Sequence, residues 1–524
     1  MILDHLDAAC PRELKADICI VGAGAAGLAL AMEFANSDLQ VVVLESGGWE
    51  PEARTQALYD TEQTGMAFQS AHTGRFRILG GSTTQWGGQS LPLTPLDFER
   101  REWVNHSGWP IRYDGLKPFY DRANRFLGVD TRDYRDETAT HLRLKRPLLD
   151  PATLEYHFSK WAPQPDLRQT YRKALERAEN VRVILHANVT EVEVDGSRVT
   201  RVCYRSLNGH KGSIQASCFI LATGGLEVPR LLLASCRQIP AGLGNEHDQV
   251  GRFLQEHPAA QLGKVEVTNA NKLQALFNGR RAEGRRFSAR LSLSRAIQEK
   301  EGLLNASAGF LFSLPVDRGF GLLRAAVKRQ ASGIPGATPG RILSEGIRCL
   351  PQLMKASWML GVGGRIFTPG ATCEVAASFE QEPNPSSRVT LSEKQDELGM
   401  PLACIHWSLT RKTYNTAVHF AEVIDQTLRT LQVGRLKRSD WLQHDVGENE
   451  YQQHFHDQNH HIGTARMSAS PQDGVVDPDL KVHSLQNLHI ASSATFPTGG
   501  HSNPTLTILA LTIRLADHLK QKLQ

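Results

Sequence analysis

The 524-residue sequence predicts an α/β chain, α+β overall, in which a parallel-stranded domain is interleaved with a largely antiparallel-sheet domain. Three observations predict this. A strand–glycine–helix–strand run occupies Asp17 to Gly48. Short apolar strands recur far downstream, at Cys218–Gly225 and Leu488–Ala491. Between them, two-residue alternation dominates residues 255 to 445.

The first run is the most informative. Ile18 to Val21 is a short apolar stretch of the kind buried in parallel sheets, and Gly22, Gly24 and Gly27 follow it at G-x-G-x-x-G spacing. In that pattern the first glycine turns the chain and the second admits a pyrophosphate close to the backbone. The third lets helix and strand approach. The helix expected from about Ala25 to Asn36, with Ala25 and Ala26 in its first turn, directs its free N–H groups at the phosphates. Val41 to Leu44 is the second strand. Glu45, followed by Ser46, stands where a carboxylate binds a ribose hydroxyl. A glycine triplet alone often marks an ordinary strand–helix turn. Strand, glycines, helix, second strand and acid together predict a Rossmann-like dinucleotide site, without deciding between FAD and NAD.

Composition narrows the remaining classes. Hydrophobic residues make 40% and charged residues 22%, ordinary values for a globular protein. A net charge of +4 is too small at this length to indicate nucleic-acid binding. The eight cysteines show no metal-ligand spacing and read as buried free thiols. The acidic Met1–Asp7 stretch lacks a basic signal region, and no apolar run reaches the ~18 residues that span a bilayer, so a cytoplasmic location is expected.

Along the chain, residues 50 to 75 are polar and without a clear period. Arg75 to Ser90 is a loop with four glycines within residues 80–88, and holds Arg77, Gly81, Ser82, Trp86, Gly87 and Gly88. An amphipathic helix follows Asp114, its aromatics Phe119, Tyr120 and Phe126 reading as core. Val181 to Val194 reads as two strands, with Asp195-Gly196 as a hairpin turn. In the middle domain, strands are expected near 259–268, 286–293, 306–313 and 373–380, with a pair at Arg388 and Pro401. Residues 318–366 stand apart. Arg318, Arg324, Lys328, Arg329, Arg341, Arg348, Lys355 and Arg365 face a single acid, Glu345, with apolar residues between them at helical spacing. They read either as solvated helices over the sheet or as a basic amphipathic lid for a membrane surface, an acidic glycan or a partner protein.

The last seventy residues carry the chemistry: His460-His-Ile-Gly-Thr, a strand at Leu488–Ala491, and Asn503-Pro-Thr-Leu-Thr opening a final amphipathic helix. Pro504 suits the first helical position and Asn503 the cap before it.

On these motifs the sequence resembles the glucose–methanol–choline (GMC) oxidoreductases, nearest the pyranose oxidase and sugar dehydrogenase branch. The matches run in family order: Gly22-Ala-Gly-Ala-Ala-Gly, Gly80-Gly-Ser with Trp86-Gly-Gly, Leu221-Ala-Thr-Gly-Gly with Pro229-Arg-Leu-Leu-Leu, and Gly251-Arg-Phe-Leu-Gln-Glu-His-Pro. Ser387-Arg-Val-Thr-Leu, His460-x-x-Gly-Thr and Asn503-Pro-Thr-Leu-Thr complete the series. The resemblance implies FAD and an FAD-dependent oxidation of a CH–OH group in a sugar, glycoside or polyol. It implies His460 as base and Asn503 as its partner; His501 is two residues early for the motif. It also implies Glu45 at the adenosine ribose, Ser82 and Ser492 near the pyrophosphate, and Val189 beside adenine. Ala222, Gly224, Pro504 and Thr505 are carried over as further FAD contacts. In members that attach FAD covalently, a His occupies the position of Gln85, which implies non-covalent FAD here.

A His with its ordinary pKa near ~6.5 suits proton abstraction at neutral pH, and the helix opening at Pro504 favours negative charge at its start. The implied layout is an FAD-binding domain at 1–254, with loops and lid segments at 50–160, a substrate domain at 255–445, and a returning FAD-binding part at 446–524. Alternatives are oxidation of a non-sugar alcohol and a flavin-containing hydroxynitrile-type lyase. The electron acceptor is open among oxygen, a quinone and a redox protein.

Overall fold

The computed structural model describes residues 1–317, 319–328, 334 and 337–523. Two eight-stranded sheets and one three-stranded sheet organise the described chain. In the first, Ile2–Asp4, Val181–Leu185, Val41–Leu44, Glu13–Val21 and Lys211–Leu221 run side by side and parallel, and Leu488–Ile490 joins the last of them. The apolar runs that signalled these strands are almost wholly buried, Ile18, Cys19 and Ile20 at 0% exposure. Asn188–Asp195 and Arg198–Arg205 extend the edge as the expected hairpin. Helix Ala25–Phe34 follows the glycines, and the final helix Pro504–Leu523 packs beside it and against Tyr113–Phe126. Tyr120 is buried there, its hydroxyl 2.9 Å from Thr507 Oγ1.

The second sheet is antiparallel throughout, in the order Gly434–Arg438, Ala259–Val267, Thr372–Phe379, Ala306–Ser313, Arg285–Leu293, Leu154–Trp161 and Gln89–Ser90. Helix Arg411–Thr430 covers it through Tyr414, Ala417, Phe420, Ala421 and Ile424. The four middle strands read from alternation are present. The sheet also takes Leu154–Trp161 and Gln89–Ser90 from the 50–160 segment expected to be loops and lids. Tyr156 and Phe158 point into the core of this sheet, which explains why the chain returns there before residue 255.

The expected pair Arg388–Gln395 and Pro401–Trp407 does form, but outside the large sheet. It makes the three-stranded sheet with Thr61–Gly65, which runs parallel to Pro401–Trp407. Thr61–Gly65 reads Thr-Glu-Gln-Thr-Gly, an exposed edge with no apolar face, so no periodicity announces it. Of the basic stretch, Arg318 and Arg329 lie outside the described residues. Gly319–Val327 and Pro339–Gly363 are helices, and Thr338 caps the second, its hydroxyl accepting from Arg341 N.

Candidate active site

The carboxyl ends of the parallel strands open into one long cavity of about 580 Å³, the position where open α/β sheets bind ligands. Val21, Leu44, Ala222 and Ala491, at or just past the strand ends, form its floor.

The glycine turn sits as the spacing predicts. Gly22 has φ +98°, and a Cβ there would lie 2.7 Å from Ala222 O. A Cβ on Gly27 would lie 1.9 Å from Gly22 O, so this glycine serves helix–strand packing and does not line the cavity. Gly24 has open space where a Cβ would be, and it faces the cavity with Ala25 and Ala26. Glu45 is buried, its carboxylate accepting from Ala23 N at 2.8 Å and Gly47 N at 2.9 Å. Burial raises its pKa, opposed by those two N–H groups and Arg77.

The loop after Arg75 closes one side. Arg77, Gly81, Ser82, Gln85, Trp86 and Gly87 line the cavity, whereas Gly88 packs against Pro165 and Ala162 and does not. Ser46, Val189, Gly224, Ser492, Pro504 and Thr505 complete the predicted set at the wall. Among the described residues, Arg77 Nε, Asn188 Oδ1 and Thr223 Oγ1, all of cavity-lining residues, are buried without a partner. A glycine cradle, a single cavity whose lining includes both Glu45 and Asn503, and orphaned polar atoms in that lining fit a dinucleotide such as FAD.

Sequence reasoning missed the buried charge cluster in the same wall. Glu227 bonds Arg75 at 3.0 Å, Arg77 at 2.9 Å and Arg230 at 3.1 Å, and Arg230 also reaches Asp396 at 2.7 Å. Tyr59 lies under both guanidinium groups of Arg75 and Arg77, 4.1 and 4.2 Å from its ring centroid. Burial pushes the Glu227 carboxyl up, but the three arginines, Arg230 foremost, hold it down at about 2. The signal available beforehand was Arg75-x-Arg77 and Glu227-x-x-Arg230 as two short charged pairs; nothing in their spacing says that they meet.

At the other end of the cavity, His460 and Asn503 come together across forty-three positions of sequence, with Asn503 Nδ2 3.3 Å from His460 Nε2. A third residue fixes the direction of that contact. His257 Nδ1 lies 2.9 Å from His460 Nδ1, and His257 Nε2 lies 3.2 Å from Gly499 O. A backbone carbonyl only accepts, so His257 Nε2–H donates to Gly499 and His257 Nδ1 is left as acceptor. His460 therefore donates through Nδ1–H and keeps Nε2 as a free acceptor, which takes the Asn503 N–H. The backbone N–H of His460 is held by Glu256 Oε1 at 2.5 Å. Burial, then the neighbouring His257 and His461, lowers the His460 pKa well below its ordinary value, so its ring is neutral at neutral pH. His257 and Glu256 belong to Gln255-Glu-His-Pro, a stretch noted only as a motif, 203 residues from His460.

The two neighbouring histidines differ. His461 also lines the cavity, but its Nε2 is engaged by Ser70 Oγ at 3.0 Å. His501 lies away from the cavity, with Nδ1 2.9 Å from Asn305 Oδ1.

Comparison with known proteins follows this geometry. Residues 17–241 match the FAD dependent oxidoreductase family and residues 383–512 match the GMC oxidoreductase C-terminal family. The chain is similar to 2-methyl-1,2-propanediol dehydrogenase of Mycolicibacterium austroafricanum, 23% identical over 97% of this chain and 96% of the relative. It is 23% identical to the fructose dehydrogenase large subunit of Gluconobacter japonicus, over 98% of this chain and 99% of the relative. Among solved structures, formate oxidase shares its fold at a TM-score of 0.60, with 16% identity over 98% of this chain and 99% of that one. With the FAD dependent oxidoreductase model on the nucleotide-binding strands and the GMC oxidoreductase model on the stretch holding His460 and Asn503, the chain is an FAD-dependent oxidoreductase with a GMC-type C-terminal region.

Proposed function

We propose that the enzyme oxidises a CH–OH group of a sugar, glycoside or polyol to a carbonyl, with His460 as the base and Asn503 as the group that holds the reacting oxygen. The observation that carries this reading is the directed chain Asn503 N–H to His460 Nε2, His460 Nδ1–H to His257 Nδ1 and His257 Nε2–H to Gly499 O. It leaves one unprotonated imidazole nitrogen at the cavity wall. A substrate hydroxyl entering there gives its proton to Nε2, while the Asn503 amide donates to the same oxygen and holds the carbon in place. Bound FAD supplies the hydride acceptor. Gly22, Gly24, Glu45, Ser82 and Arg77 would hold the dinucleotide, and the first turn of the Pro504 helix would favour negative charge beside it.

In this reading, residues 1–254 and 446–524 bind FAD and 255–445 shape the substrate side, with Leu154–Trp161 joined to the latter. The sugar or polyol class rests on the resemblance of the motifs and on relatives named for fructose and for a diol. All eight cysteines are free thiols, which supports the cytoplasm as its compartment. Among the described residues no helix is long and apolar enough to cross a membrane.

The deciding experiment is an anaerobic screen of sugars, glycosides, polyols and simple alcohols, read as bleaching of the flavin absorbance. Bleaching by polyhydroxy substrates supports the reading. A flavin that stays oxidised while substrate is consumed would show a lyase and overturn it.

A further inference from the structure

The helix Pro339–Gly363 has two apolar faces, and among the described residues one is covered and the other exposed. The covered face meets the Gly319–Val327 helix: Cys349 is buried and Gly346 lies against Leu323. The outward face carries Leu343, Ile347, Leu350, Met354, Trp358 and Val362, all exposed, from 55% at Leu350 to 70% at Val362. At about 100° per residue these six fall within an arc of roughly 120°, and they run about 28 Å along the axis. Isolated exposed apolar side chains are ordinary; six in one stripe are not.

The charge beside the stripe is one-sided. Arg348 and Lys355 flank it on the same edge, and Arg324 and Lys328 stand exposed on the neighbouring helix. None of these four makes an ion pair among the described residues, although arginines elsewhere on the surface pair regularly, as Arg388 does with Asp248 and Arg438 with Glu422. Glu345 is the single acid in 318–366. The base of the helix is tied to the antiparallel sheet through Arg281 N to Gly364 O at 2.7 Å and Ile366 N to Gly279 O at 3.0 Å, so the stripe is presented from an anchored support.

We propose that this face docks on an anionic lipid bilayer, the helix lying in the plane of the interface with its apolar stripe among the acyl chains and its basic edge at the headgroups. Charge complementarity selects this occupant. A second copy of the chain would set two cationic edges around one apolar seam with only Glu345 of each to offset them. A spanning orientation would carry Arg341, Glu345, Arg348 and Lys355 into hydrocarbon.

The test is flotation of the FAD-loaded full chain with vesicles of phosphatidylcholine alone and of phosphatidylcholine mixed with phosphatidylglycerol, at low and high salt. The expected result is binding to the anionic vesicles that weakens with salt, and little binding to phosphatidylcholine alone. Replacing Ile347, Met354 and Trp358 by Ser should lower binding at least tenfold, and each of Arg324→Gln, Lys328→Gln and Arg348→Gln should lower it about fivefold. Trp358 emission should shift to the blue on vesicles, a change that Trp358→Phe removes. FAD content and the rate of flavin reduction in solution should be unchanged in every variant, which separates docking from damage to the fold. Absence of binding to anionic vesicles at low salt overturns the proposal. So does binding that the triple Ser variant retains, or a dimer in light scattering that this variant splits while neither form binds vesicles.

Discussion

Replacing His257 by Leu tests the hydrogen-bond direction on which the proposed chemistry depends. His257 does not itself line the cavity, yet its Nδ1 is the acceptor for His460 Nδ1–H, and its own Nε2–H is anchored on Gly499 O. Leucine is close in volume and removes both functions. The buried His460 N–H then lacks a partner, at a cost of about 1–3 kcal/mol. The ring escapes that cost by moving its proton to Nε2, the atom that must accept one from substrate. Either route raises the barrier by a similar amount, so flavin reduction should slow by roughly 5- to 150-fold. The upper bound is the roughly 10⁴-fold loss seen where a catalytic histidine is held in the wrong tautomer. Glutamine is the matched control, because its carbonyl oxygen accepts from His460 and its amide donates to Gly499. His257→Gln should stay within about tenfold of the parent. The assay is anaerobic stopped-flow reduction of the bound flavin by a saturating alcohol, with FAD content measured alongside. Wild-type reduction by His257→Leu would refute the tautomer argument, and an equal loss in both variants would reduce His257 to a packing residue.

Four further outcomes follow from the same geometry. His460→Ala should retain FAD but lose about 10²–10⁴ in flavin reduction, measured in the same apparatus. Gly24→Ala should keep the fold, since its Cβ meets no protein atom, but should lower FAD occupancy, whereas Gly27→Ala, with a Cβ 1.9 Å from Gly22 O, should lower soluble yield as well; absorbance ratios and expression check both. Acid precipitation should release all flavin to the supernatant, because Gln85 has no imidazole to form a covalent link; colour in the pellet would show otherwise. Stability should fall below about pH 6.5, because burial holds His461, His489 and His501 down to about 3 while the unfolded chain protonates each near ~6.5. The unfolded state then binds more protons, so acid favours it. Glu256, raised to about 8 by burial and Asp457, opposes this by one proton against the three histidines, so a thermal-shift series from pH 7.5 to 5.5 should read a falling Tm.

The parts of the fold that were legible are those whose local pattern and final environment agree. Ile18–Val21 and Val41–Leu44 are apolar on both faces and end up buried on both, and Arg285–Leu293 alternates buried and half-buried residues from Phe287 to Leu291 as a strand with one covered face does. Thr61–Gly65 was not legible, because its place is set by backbone pairing with Ala403–Trp407 and not by side-chain burial. Leu154–Trp161 has the composition of a strand, but which sheet it joins depends on Arg285–Leu293, more than a hundred residues later.

The same distinction divides the candidate site. Gly22, Gly24 and Glu45 are readable because strand, turn and helix are contiguous, so spacing in sequence is geometry. His460 and Asn503 are readable only through resemblance to a family, since no local rule joins positions forty-three apart. His257 lies in the matched stretch Gly251-Arg-Phe-Leu-Gln-Glu-His-Pro, but that resemblance gives it no role: a His before a Pro is most economically a packed core residue, and it is indeed buried. Its importance comes from Gly499 O, which can only accept and therefore sets the tautomers of two rings in succession. A base identified from sequence is thus incomplete until the group that decides which of its nitrogens is free has been located. Here that group is a backbone carbonyl, present at every residue and for that reason invisible in any motif.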